Sequence, residues 1–217
     1  MRVAILGLGS FGFHLAEWLQ MLGNEVIAVD ADEHVVQRIK NRVSRAVTGD
    51  FTNHELLDEI GIREIDVAMI APGHRLEASA LLANYLKEAG VERIVAKVDD
   101  EEQGRILKLV GATDTVQPDR DFSAKAAAML TFPRLLDYVV LSGEHRILVV
   151  KVPSTLAGKT VSECEAELGD VVKILVVDPP GGETPALEPL PTHKLSHDDI
   201  IVIMGGIRGL LKLIHEG

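Results

Sequence analysis

Short apolar runs and longer amphipathic segments alternate through the first half of the chain. Strand-length runs rich in apolar and β-branched residues fall at Val3–Leu6, Glu25–Asp30, Arg45–Thr48, Val67–Ile70, Arg93–Lys97 and Thr115–Gln117. Between them apolar residues recur at helical spacing over Phe11–Leu22, Glu33–Asn41, Asn53–Glu59, Leu76–Ala89 and Glu101–Leu109. Thr52 with Glu55 and Asp99 with Glu102 have the N-cap-to-N3 spacing of a helix start. Gly23, Gly61, Gly90 and Gly111 stand where C-terminal caps belong. Buried runs joined by connections that only crossovers can satisfy predict an α/β fold, a Rossmann-type doubly wound parallel sheet covered on both faces.

The alternation stops after Gln117. The spacing predicts a helix over Asp121–Leu130, leading to Phe132 and Pro133. Beyond it, strands are predicted at Ile147–Val152, Val171–Asp178 and Ile200–Met204, around one capped helix from Thr160 to Leu168 with Glu163 at N3. Pro179–Pro191 reads as a loop and Ile207–Ile214 as a final helix. The chain therefore divides into residues 1–133, sheet plus crossover helix, and a small α+β domain, residues 134–217, with no internal repeat.

Chemistry enters at the first strand. It runs into Gly7, Gly9 and Gly12, a helix follows, and the next strand ends at Asp30. In that context G-x-G-x-x-G reads as a dinucleotide-binding fingerprint. Gly7 allows the tight turn, Gly9 lets backbone approach a pyrophosphate, and Gly12 permits close helix–strand packing. The amides and positive dipole end of the Phe11 helix face the phosphates. Asp30, 18 residues after Gly12, is placed to bind ribose hydroxyls and to repel the 2′-phosphate of NADP.

Composition narrows the partners. At 217 residues, 47% hydrophobic and 25% charged, the chain can bury a sizeable core. Its longest apolar runs fall far short of the roughly 18 residues that span a bilayer. Arg2 leads at once into strand and glycine loop, so no cleavable signal peptide is expected. One cysteine, Cys164, agrees with a reducing cytoplasm. A net charge of −11 without a basic cluster argues against nucleic acid and anionic lipid.

Several stretches together resemble a known family, the regulatory subunits of Trk/Ktr potassium uptake systems (RCK, or KTN, domain proteins). They are "ILGLGSFGFHLAEWLQMLGNEVIAVDADEHVV", "VTGDFTNHELLDEIGI", "AMIAPGHRLEASALLANYLKEAGVERIVAKV", "GATDTVQPDRDFSAKAAAML" and, in the tail, "LAGKTVSECE" through "HDDIIVIMGGIRGLLKLI". The resemblance implies a nucleotide-sensing regulatory subunit that gates a membrane potassium channel or transporter. It implies a homodimer assembling into an octameric ring, docked on the cytoplasmic face of an integral-membrane potassium-translocating subunit. The implied ligand is an adenine nucleotide, ADP or ATP or NAD(H), with cyclic di-AMP a candidate for the C-terminal domain. Asp30 takes the ribose, Asp50, after Gly49, the adenine edge, and backbone at Ala71, Pro72 and Gly73 lies beside the ligand. Asp32 and Phe11 are counted with the cofactor-binding residues, as is Lys97 at the same rim. The Ktr-type motif often carries an arginine, directed at the terminal phosphates of ATP, where this chain has Ser10. Asp119 stands where the family has an acid that is a candidate ligand for a divalent cation shared across the dimer. On the residues alone, Asp50 also suits a loop acid, Lys97 a solvated strand-end lysine, and Asp119 an acid at a helix start.

Other constellations fail. His193 and His197 have metal-ligand spacing only on a helix, which Pro191 opposes. Cys164 is flanked by glutamates and reads as a packing residue. No Tyr-x-x-x-Lys pair or general acid–base cluster supports the alternative class, a small NAD-dependent oxidoreductase. A redox-responsive repressor fails on charge.

Overall fold

The structure, a computed structural model, describes residues 1–71, 76–169, 172–181, 184–206 and 210, and of Ser142 the backbone alone. It divides into two compact units, Met1–Asp121 and Phe122–Gly217.

The first unit is built on a six-stranded parallel sheet in the order β3-β2-β1-β4-β5-β6. Its strands are β1 (Arg2–Leu6), β2 (Glu25–Asp30), β3 (Arg45–Thr48), β4 (Val67–Ile70), β5 (Arg93–Lys97) and β6 (Asp114–Val116). Side chains of β1 alternate between two cores, as a pleated strand requires. Val3 and Ile5 pack with Phe13 and Ala16 of α1 (Ser10–Met21) and with Val36 and Ile39 of α2 (Glu33–Ile39). Ala4 and Leu6 pack with residues of α3 (His54–Glu59), α4 (Leu76–Glu88) and α5 (Glu101–Val110), among them Leu57, Leu82, Leu86 and Leu107. Burial on both faces explains why the strands read as unbroken apolar runs.

Strands and helices match the expected segments within one or two residues, and the structure corrects two caps. Asn53, not Thr52, caps α3, its side chain accepting the Glu55 N–H at 2.9 Å, because Asp50 accepts both the N–H and the hydroxyl of Thr52. Asp100, not Asp99, caps α5, accepting the Gln103 N–H at 2.8 Å. The next helix, α6 (Pro118–Thr131), begins three residues earlier than expected, with proline at its first position, where a missing N–H costs no bond. Asp119 therefore lies in its first turn.

The second unit holds an antiparallel five-stranded sheet, order β10-β9-β11-β8-β7. These are β7 (Leu135–Ser142), β8 (His145–Lys151), β9 (Val172–Asp178), β10 (Ala186–Leu187) and β11 (Ile200–Gly206). Strand β7 was not expected. It has no strict alternation, since Val139, Val140 and Leu141 are all half exposed at the sheet's edge. Its pairing with β8 through the turn at Gly143 defines it. Helix α7 (Val161–Leu168) opens with the expected capping box: the Thr160 hydroxyl accepts the Glu163 N–H, and the Glu163 carboxylate accepts the Thr160 N–H at 2.8 Å. Cys164 is fully buried against Leu156 and Val161, and burial pushes its thiol up to about 11. The helix expected at 207–214 lies, except for Leu210, outside the described residues.

Candidate functional site at the carboxyl rim of the parallel sheet

Strand register sets the candidate residues in one row. Leu6 pairs with Val29 on one side and Ile70 on the other, and Ile70 pairs with Ala96. One residue further along each strand stand Asp30, Gly7, Ala71 and Lys97. Backbone bonds extend the ladder to this level: Gly7 N–H to Val29 O at 2.9 Å, Ala71 N–H to Leu6 O at 2.8 Å, and Gly49 N–H to Asp30 O at 2.9 Å. Adjacent strands are about 4.8 Å apart, so Lys97 lies about 10 Å along the rim from Gly7, and Asp30 about 5 Å the other way.

The three loop glycines differ in what demands them. Gly7 has φ +105°, a conformation open to glycine alone. At Gly12 a Cβ would lie 2.1 Å from Gly7 O, inside any allowed contact. Gly9 has φ −59° and ψ −179°, accessible to any residue, and a Cβ there would meet nothing within 4 Å. Neither backbone nor packing requires glycine at that point, whereas a ligand lying against the backbone would. No described side chain caps α1, and its first turn carries no acid, so its leading amides are left for an anion. Ser10 begins this helix and is exposed. Phe11 is half buried against the core shared by α1 and α2, so it offers the loop its amide rather than its ring.

Asp30 braces the loop. One carboxylate oxygen accepts the Leu8 N–H at 2.6 Å and the other the Asp32 N–H at 2.9 Å. Each oxygen retains lone-pair capacity for a ribose hydroxyl. Asp32 is itself a helix cap, accepting the His34 N–H at 2.8 Å. Gly49 makes room for Leu56, since a Cβ would come within 2.6 Å of its Cδ2. Asp50 holds the following turn through Thr52. Ala71 is buried at the end of β4, and Pro72 and Gly73 fall outside the described residues.

At the far end of the row, Lys97 Nζ meets Asp119 Oδ2 at 2.7 Å. The sequence offered both residues separately, and the fold joins them. The contact also bears on the suggested metal. Asp119 is engaged by an ammonium, and no group of three or more His, Cys, Asp or Glu side chains able to hold an ion occurs among the described residues. Within one chain these residues do not fit a divalent cation.

The family model of the TrkA-N domain matches residues 3–118, which hold the six parallel strands and the glycine loop. The chain belongs to the TrkA-N domain family. Outside this TrkA-N domain lies nearly all of α6 and the whole antiparallel sheet. Similarity to curated relatives nevertheless runs through both. Ktr system potassium uptake protein C of Bacillus subtilis (strain 168) is 32% identical over 204 residues, covering 94% of this chain and 91% of its own. Ktr system potassium uptake protein A of Vibrio alginolyticus is also 32% identical over 204 residues, covering 94% and 92%. Among solved structures, the GsuK RCK domain superposes over 99% of this chain with a TM-score of 0.62 at 18% identity. This chain spans 47% of that longer one, and the likeness is one of fold.

Proposed function

We propose that the chain is a nucleotide-sensing cytoplasmic regulatory subunit that gates a membrane potassium channel or transporter. In this reading residues 1–133 form the nucleotide-binding domain with its crossover helix, and residues 134–217 the C-terminal domain. The observation that carries it is the 32% identity, over nearly the full length of both chains, to a Ktr system potassium uptake protein. The rim geometry supports an adenine nucleotide, ADP, ATP, NAD or NADH, as the signal. Its ribose lies on Asp30, its adenine edge near Asp50, its phosphates on the Gly7–Gly12 loop, and its far end over Ala71, Pro72 and Gly73 toward Lys97. A divalent cation at Asp119 and cyclic di-AMP in residues 134–217 form no part of this reading.

A second copy is supported by α6. No residue of this helix is buried, and Phe122 and Leu130 are 69% and 85% exposed. A cavity of about 260 Å³ beside α1, lined by Phe11, Leu15, Leu19, Val67, Val95 and Val116, offers further apolar surface. We take the assembly to be a homodimer that builds an octameric ring on the membrane partner. Switching such a ring from 1:99 to 99:1 needs about 5.5 kcal/mol of differential ligand affinity, readily shared among subunits. Among the described residues no helix is long and apolar enough to cross a membrane, so translocation is assigned to the partner.

The test is reconstitution with a potassium-translocating membrane subunit. The chain is expected to co-purify with it and to make flux depend on the nucleotide. Flux indifferent to both chain and nucleotide refutes the reading, as does turnover of NADH with carbonyl substrates. Light scattering that reports a 23.5 kDa particle at micromolar concentration removes the ring.

A further inference from the structure

The parallel strands carry four described cations, and their distribution is uneven. Arg2, Arg45 and Arg93 stand at the amino-terminal starts of β1, β3 and β5, on the side away from the glycine loop. Lys97 alone stands at a carboxyl end. Its side chain is only 20% exposed, while that of Asp119, its partner, is 79% exposed. The stem is thus held by the fold, and the ammonium emerges at the rim two strands from Gly7, in register with it. An ammonium has three donors, and among the described residues the ion pair shown for Lys97 is with the Asp119 carboxylate.

Resting on the nucleotide reading above, we propose that Lys97 is the cation that reads the outermost phosphate of the bound nucleotide, and that Asp119 is the resident counter-ion this phosphate displaces. The loop amides and the α1 dipole serve the phosphates nearest the ribose. A chain running from Asp30 past Gly7 and Ala71 brings any further phosphate to Lys97, which acts on it as a point charge. Asp119 and the phosphate are both anions competing for one ammonium. When the phosphate wins, the first turn of α6 loses one of the two ion pairs it makes with described residues of β5 and α5. The other, Arg120 to Glu101 at 2.8 Å, stays. Nucleotides that differ only in phosphate number thereby leave α6 tethered differently.

The experiment is calorimetric titration of AMP, ADP and ATP in EDTA, against wild-type protein, Lys97→Met, Asp119→Asn and the double variant. Lys97→Met is expected to lower the ratio of ATP to AMP affinity about tenfold. Asp119→Asn, which leaves Lys97 without its competitor, is expected to raise the ratio several-fold. In the Lys97→Met background Asp119→Asn should do nothing further, because its effect passes through the ammonium. AMP binding reports that each variant is folded and that the ribose end is intact. A ratio that stays constant through Lys97→Met, or an Asp119→Asn effect that persists without Lys97, overturns the subsite while the nucleotide reading stands. Wild-type protein that binds none of the three overturns both.

Discussion

The substitution Gly9→Ala separates a residue kept for the ligand from one kept for the fold. The new methyl has nothing within 4 Å, and the backbone, at φ −59°, accepts it without strain. Alanine gains about 0.4–1 kcal/mol by restricting the unfolded chain, and it loses a comparable amount as a poorer N-cap than glycine. Stability without nucleotide should therefore change by less than about 1 kcal/mol, a few degrees in Tm. Binding should suffer, because the methyl projects into the space where, in the proposed function, a phosphate oxygen approaches the loop amides. Losing one charge-assisted hydrogen bond of about 1.5–3 kcal/mol lowers affinity roughly tenfold to over a hundredfold. Gly12→Ala is the contrast. Its methyl would lie 2.1 Å from Gly7 O and 3.2 Å from Gly7 C, both backbone atoms, so the loop must move. Overpacking of this kind costs about 1–3 kcal/mol and should depress Tm and affinity together. Thermal unfolding without nucleotide and calorimetry with ADP read the two effects. Unchanged ADP affinity in Gly9→Ala would take the phosphates off this loop. A Tm loss equal to that of Gly12→Ala would refute the loop geometry.

Other outcomes follow from the same contacts. Asp30→Ala removes the acceptor for the Leu8 and Asp32 amides as well as the proposed ribose contact, so Tm should fall even without nucleotide while adenine-nucleotide affinity drops at least about tenfold; an unaltered Tm would mean those bonds do not brace the loop. Without an arginine at Ser10, ATP should bind no more than about tenfold tighter than ADP, and Ser10→Arg should strengthen ATP selectively; a hundredfold wild-type preference for ATP in paired titrations would refute this. A hydrogen bond from Lys125 at 2.6 Å, opposed by partial burial, holds the Asp137 carboxyl below its usual value. The depressed pKa adds stability that is complete above the unfolded value near pH 4 and fades as the pH falls through the folded one. Solvent screening keeps it below about 1 kcal/mol. Lys125→Met should flatten this part of the acid limb in pH-dependent urea unfolding, and an identical acid limb would count against the pair.

Much of the first unit was legible in the sequence because its signals are local. Val3–Leu6, Gly7, Gly9, Gly12 and Asp30 fall within thirty residues, and each obeys a short-range rule of strand burial, turn geometry or helix start. Where two neighbours suited one task, locality failed. Thr52 and Asn53 can both cap a helix, as can Asp99 and Asp100, and only the surrounding bonds chose between them. Strand β7 escaped because an edge strand with exposed Val139, Val140 and Leu141 has no alternation to read, and its identity comes from its pairing with β8. Asp30 was legible as a candidate ribose ligand, a role proposed above, but its grip on the Leu8 amide, 22 residues away, was not. The same holds for Lys97 and Asp119. From sequence Lys97 read as a cofactor-binding or solvated rim lysine and Asp119 as a candidate metal ligand or helix-start acid, and their contact exists because β5 and the start of α6 emerge side by side at one edge of the sheet. Sequence determined most of the elements and a glycine loop suited to phosphates. Tertiary structure decided which charges face one another there, because an ion pair depends on proximity in space, and strand order, not chain order, sets that proximity.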